Sequence, residues 1–255
     1  MQAWTNMTRP GDAYRTGELL YRRPPPRLAV FAAGGALRSA GRLLPACCVM
    51  VYLPLHRTRP VTVTGQTLAF GCRAAGITMV NEAAALAAVA DLDLMQARRH
   101  AAVLASHAPR ASLTALQSAA AGPARGLSAA GRAWADRHEP VRGTAMMIDT
   151  ARDLPGGPGL AGVCEQAQVG LPTDPASPGA RLVRPGEGEP VTAVTAAVTR
   201  AMAVALACAR YLGRYEWDGT LDAMSILTAH AWDCLPRPGR EDIAGQRPRL
   251  SAARL

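Results

Sequence analysis

The fold class turns on residues 24–60, PPPRLAVFAAGGALRSAGRLLPACCVMVYLPLHRTRP. Pro24, Pro25, Pro26, Gly34, Gly35, Pro45, Pro54 and Pro60 interrupt every candidate helix within a few turns. The apolar pieces between these breakers show no helical or strand period. The stretch, with everything before it, therefore reads as irregular. Just beyond it, Val61, Thr62, Val63 and Thr64 alternate like a short strand, but nothing nearby is an evident partner.

Charge separates this region from the rest. Residues 1–78 hold 10 arginines against Asp12 and Glu18, a balance of +8; residues 79–235 come to −2 and the last 20 to +3. Such asymmetry usually divides a basic arm from a near-neutral folded unit. Arg9, Arg15, Arg22, Arg23, Arg27 and Arg73 are the candidate phosphate contacts of that arm. A second explanation is a reading frame extended upstream of a true start at Met79.

From Met79 the character changes. Asn81 can cap a helix over 82–107, with Glu82 in its first turn, Arg98 and Arg99 towards its end, and Pro109 as the stop. Helical stretches follow at 112–121 and 124–137, divided by Gly122 and Pro123, with a short piece at 144–153. Residues 154–190 hold most of the remaining breakers and read as a long loop with at most one short helix, 160–169. A long apolar helix spans 191–215 and ends near Gly213; a last one spans 220–234, stopped by Pro236. Residues 236–255 form a loose basic tail. The expectation is an all-α fold, a small bundle of four to six helices with irregular N- and C-terminal segments. Helices 82–107 and 191–215 should meet at its centre.

All 28 basic residues are arginine and roughly a fifth of the chain is alanine, which points to a GC-rich, bacterial genome. Apolar residues make up 49%, but only two are phenylalanine. The six cysteines show no C-x-x-C pair, and Cys47 and Cys48 are adjacent, which suits neither a structural disulfide nor zinc. A reducing cytoplasm fits best. Residues 43–55 give the longest apolar run, 13 residues, short of the roughly 20 that a membrane helix needs. Arg38 and Arg42 break the stretch upstream, which argues against a signal peptide and against the lipoprotein cleavage site that Leu44, Pro45, Ala46 and Cys47 resemble.

Several patterns bear on chemistry. Gly157, Gly159 and Gly162 match G-x-G-x-x-G, but Pro155 and Pro158 interrupt the strand-to-helix approach that a dinucleotide site requires. Residues 68–86, LAFGCRAAGITMVNEAAAL, resemble a helix-turn-helix, with Gly76 as the turn glycine and the second helix reading the major groove. Gly71 and Glu82 depart from that pattern at core positions. Arg132 and His138, five residues apart, resemble the arginine and histidine of HEPN-type ribonucleases, which would imply action on an RNA phosphodiester. A solvated helix end, with Arg137 and His138 favouring the dipole, accounts for the same residues. His100 and His107, seven apart, would share one helix face without further metal ligands. His230, beside Trp232 and Asp233, reads as a core-edge histidine. Tyr211, Tyr215, Trp217 and Trp232 gather near the last helical junction, as core rings or as a partner or ligand surface.

No residue set converges on catalysis, and no metal or cofactor is implied. The sequence favours a non-enzymatic helical interaction or regulatory protein that meets a protein partner or a second copy. The alternative is a nucleic-acid-binding protein using the basic arm and the 68–86 element.

Overall fold

Seven successive side chains, Cys47 to Leu53, are buried, which a strand achieves only when both of its faces are covered. The computed structural model describes residues 1–7, 26–39, 41–55, 59–136, 143–171 and 190–229. Within them the strands are β1 (Gln2–Thr5), β2 (Arg27–Gly34), β3 (Leu37–Ser39), β4 (Arg42–Leu44), β5 (Cys47–Pro54), β6 (Val61–Thr62), β7 (Gly71–Gly76), β8 (Val103–Ser106), β9 (Met146–Asp149), β10 (Val169–Gly170), β11 (Tyr215–Glu216) and β12 (Leu221–Asp222). The helices are α1 (Ala83–His100), α2 (Arg110–Ala119), α3 (Arg125–Ala135), α4 (Thr150–Asp153), α5 (Leu160–Gln166), α6 (Pro190–Tyr211) and α7 (Ala223–Ala229).

Six strands form one mixed sheet in the order β1-β7-β5-β2-β8-β9. The β1–β7, β7–β5 and β5–β2 pairs are antiparallel; β2–β8 and β8–β9 are parallel. Alternate side chains divide cleanly between two cores. Leu28, Val30, Val49, Val51, Leu53, Cys72, Val103 and Ala105 join a cluster with α6. Ala29, Phe31, Met50, Tyr52, Ala75 and Leu104 join a second cluster with α1, α2 and α3. The period of two is thus present, but both parities are apolar, so the sequence shows no alternation.

α6 is the cover of the first face. It is long and apolar enough to cross a membrane, yet 72% of its most apolar window is buried inside the fold. Its end is a Schellman motif: Gly213 takes φ +62°, the Gly213 amide donates to Arg210 O and the Arg214 amide to Ala209 O. On the other face α3 lies so close to α1 that a Cβ on Gly126 would sit 2.0 Å from the Asp91 carbonyl oxygen. The Asp91 carboxylate accepts a hydrogen bond from the Leu127 amide at 2.9 Å, capping α3 from its neighbour.

The architecture is therefore α/β/α, with an extended strand layer where an all-α bundle was expected. Residues 26–55, expected to be irregular, supply the two central antiparallel strands. The expected 82–107 helix ends at His100 and gives way to β8. The two longest helices do not meet; α6 and α1 lie on opposite faces of the sheet. β6 does have a partner, β11, whose Tyr215 pairs with Val61 from the far end of the chain. The 68–86 element is not a helix-turn-helix: residues 71–76 are β7, locked between β1 and β5. A chain starting at Met79 would lack four of the six strands of the sheet.

Candidate functional site

β2 and β8 run parallel and end side by side, and beyond such strand ends α/β sheets characteristically leave a crevice. Here the crevice is a cleft of about 240 Å³ lined on one side by Phe31 to Gly35 and Pro45, and on the other by Ser106 to Pro109 and Ser112. Leu160, Arg200 and Val204 close it from the α5 and α6 side. The glycine pair makes room for α6: Gly35, at φ +62°, would place a Cβ 2.9 Å from the Cβ atoms of Ala193 and Ala46.

The turn after β8 is braced from several directions. The Ser106 hydroxyl donates to Phe31 O at 2.8 Å, and Ala108 takes the left-handed conformation, φ +47°. The Ala108 amide donates to the Asp149 carboxylate at 2.9 Å, which also accepts from the Ala151 amide at 3.2 Å. His107 Nδ1 lies 2.9 Å from the Thr150 hydroxyl, and the Pro158 backbone stands near the ring. Burial, reinforced by the Arg200 charge, pushes the His107 pKa below its ordinary value, while Asp149 and the Pro158 contact oppose the shift. His107 is neutral at pH 7.

Arg200 is the cleft's cation. Burial lowers its pKa, a sign that its charge is poorly solvated. Among the described residues no carboxylate pairs with it. The first turn of α2 also opens on the cleft: Pro109 precedes it without a side-chain cap, and first-turn amides have no acceptor within a helix. The thiol nearest to Arg200 is no nucleophile. Cys47 is fully buried, donates to Gly34 O at 3.3 Å, and burial pushes its pKa up to about 12. Among the described residues no three His, Cys, Asp or Glu side chains gather as a metal site.

The sequence-derived candidates lie elsewhere. Arg9, Arg15, Arg22, Arg23, Trp232, His138 and His230 fall outside the described residues. Arg27 begins β2, whereas Arg73 sits in β7 with its guanidinium 2.5 Å from the Asp93 carboxylate, so it is committed to an ion pair. Tyr215 and Trp217 are buried. The Tyr215 hydroxyl donates to Pro54 O and the Trp217 indole to Gln168 O, and Arg210 stacks over the Trp217 ring at 4.7 Å. These two rings are core, and among the described members of the group only Tyr211 is exposed. His100 closes α1 while His107 follows β8, so the two share no helix face. Gly162 of the G-x-G-x-x-G match packs against the Gly156 carbonyl.

Sequence reasoning overlooked Arg200, Ser106 and Ser112 and assigned His107 to a helix end. The available signal was the run VLASHAPRASL, a short apolar strand, a turn and a proline-led helix start. Comparison with known proteins leaves the geometry to speak for itself: no known family, curated protein or solved structure matches the chain.

Proposed function

We propose that this chain is a binding protein, not a catalyst, and that it holds a small anionic ligand in the cleft beyond β2 and β8. The observation that carries the reading is Arg200, a poorly solvated cation facing a cavity with no carboxylate partner among the described residues. A partly desolvated charge is stabilised by an opposite one, and the α2 N-terminus adds a favourable dipole from another wall of the same cleft. Catalysis finds less support. Ser106 commits its proton to Phe31 O, His107 is held by its hydrogen bond to Thr150, and burial keeps Cys47 protonated.

Ligand occupancy would then govern how the protein meets a protein partner or a second copy. The five described cysteines are free and buried, in keeping with a reducing, cytoplasmic setting. The nucleic-acid reading loses support from the Arg73–Asp93 pair and from the strand at 71–76.

Thermal melting in acetate, benzoate and phosphate at constant ionic strength tests the proposal. At least one anion should raise the midpoint of the parent chain. Arg200→Gln should lose that shift, while its ligand-free midpoint stays equal or rises because a poorly solvated charge is gone. No shift with any anion, or the same shift in Arg200→Gln, refutes the reading.

A further inference from the structure

The cleft's own charge count narrows the ligand further, on the assumption that the anion-binding reading above is correct. Arg200 is the one cationic side chain among the described lining residues, since His107 is neutral at pH 7. Close to His107 stands the Asp149 carboxylate, which accepts the Ala108 and Ala151 amides. Among the described lining residues a second negative charge on a ligand would find no further cationic side chain. The rest of the wall mixes small apolar side chains, Ala32, Ala33, Pro45, Leu160 and Val204, with the polar groups of Ser106, His107 and Ser112.

We infer that the cleft takes a monocarboxylic acid with a compact apolar body, its carboxylate on the Arg200 guanidinium and its hydrocarbon against Ala32, Leu160 and Val204. The planar guanidinium matches a carboxylate bidentately, which an ammonium does not. The apolar body gains from leaving water, whereas phosphate or a dicarboxylate brings charge that the cleft does not neutralise.

Isothermal titration of the full chain with benzoate, benzamide and inorganic phosphate at pH 7.5 separates the alternatives. Benzoate should bind at least about tenfold more tightly than both benzamide and phosphate, as expected when one charge-assisted hydrogen-bonded pair decides affinity. Arg200→Lys should weaken benzoate binding several-fold, and Arg200→Gln by about tenfold or more, with unchanged circular dichroism for both. Phosphate binding as tightly as benzoate, and lost in Arg200→Gln, would overturn the monocarboxylate inference and leave the anion cleft standing. Benzoate and benzamide binding alike would overturn it too, since the charge would then not be read. Absence of binding by either anion would remove the underlying reading itself.

Discussion

Asp93 stands on the inner face of α1 with its side chain 6% exposed, and its carboxylate is 2.5 Å from the Arg73 guanidinium. Two opposing effects act on it. Burial raises its pKa and the arginine lowers it, and burial wins, leaving the group at about 6 against an ordinary 3.8. The folded state therefore holds a proton between about pH 4 and 6 that the unfolded chain has released. Stability from this group is greatest below pH 4, falls as pH rises through that window, and is flat above it. Two pKa units correspond to about 3 kcal/mol, an upper bound because the buried pair relaxes and admits water. Asp93→Asn keeps the shape and an oxygen acceptor for Arg73 but cannot titrate. Arg73 is itself 22% exposed and can reach water. Urea unfolding of both proteins at half-unit steps from pH 4 to 7 gives the comparison. The parent should lose up to about 3 kcal/mol relative to Asp93→Asn across that range, with most of the change between pH 4 and 6. A constant difference would show that Asp93 does not titrate there. A parent that gains on the variant as pH rises would show that Arg73, not burial, dominates the site.

Two further perturbations probe the scaffold. Gly126→Ala forces a Cβ to within 2.0 Å of the Asp91 carbonyl oxygen, so α1 and α3 must part and the Asp91–Leu127 cap must open. A loss of about 3 kcal/mol or more is expected in thermal or urea unfolding, and an unchanged midpoint would mean that the helices do not pack this closely. Deleting residues 1–60 removes β1, β2 and β5, half of the six-stranded sheet including its middle. The truncated chain should lose its helical circular dichroism along with its strands, because α1 and α6 lose the surfaces they cover; native-like helicity would refute this.

α2, α3 and α6 were legible and the sheet was not: the helical piece expected over 144–153 is β9 followed by α4, and the helix expected from 220 opens as β12. α2, α3 and α6 are bounded by breakers that the sequence displays, Pro109, Gly122 with Pro123, and Gly213. α1 is continuous in its apolar pattern with β8, since Ala101, Val103 and Leu104 extend the helical spacing; only the cluster Arg98, Arg99 and His100 marks the true end. In β5 and β2 both faces are buried, so Cys47–Leu53 offers a continuous apolar run, and alanine and cysteine conceal the strand further. Strand partners are remote: Val61 finds Tyr215 across most of the chain. The cleft was hidden for the same reason. Gly34, Ser106 and Arg200 become neighbours only once parallel pairing brings β2 beside β8 and α6 crosses their ends.

The placement of α6 imposes an order on the birth of the molecule. Leu28, Val30, Val49, Val51 and Leu53 are synthesised early, yet the helix that shields them is made more than a hundred residues later. While the ribosome works through the intervening segment, one whole side of the nascent sheet stands bare. Pairing of that length is slow, and uncovered apolar strands invite association with other chains. A chain halted just before residue 190 could complete the core beneath α1, α2 and α3 but not the one that α6 covers, and its Leu28, Val30, Val49, Val51 and Leu53 would stay open to association with other apolar surfaces.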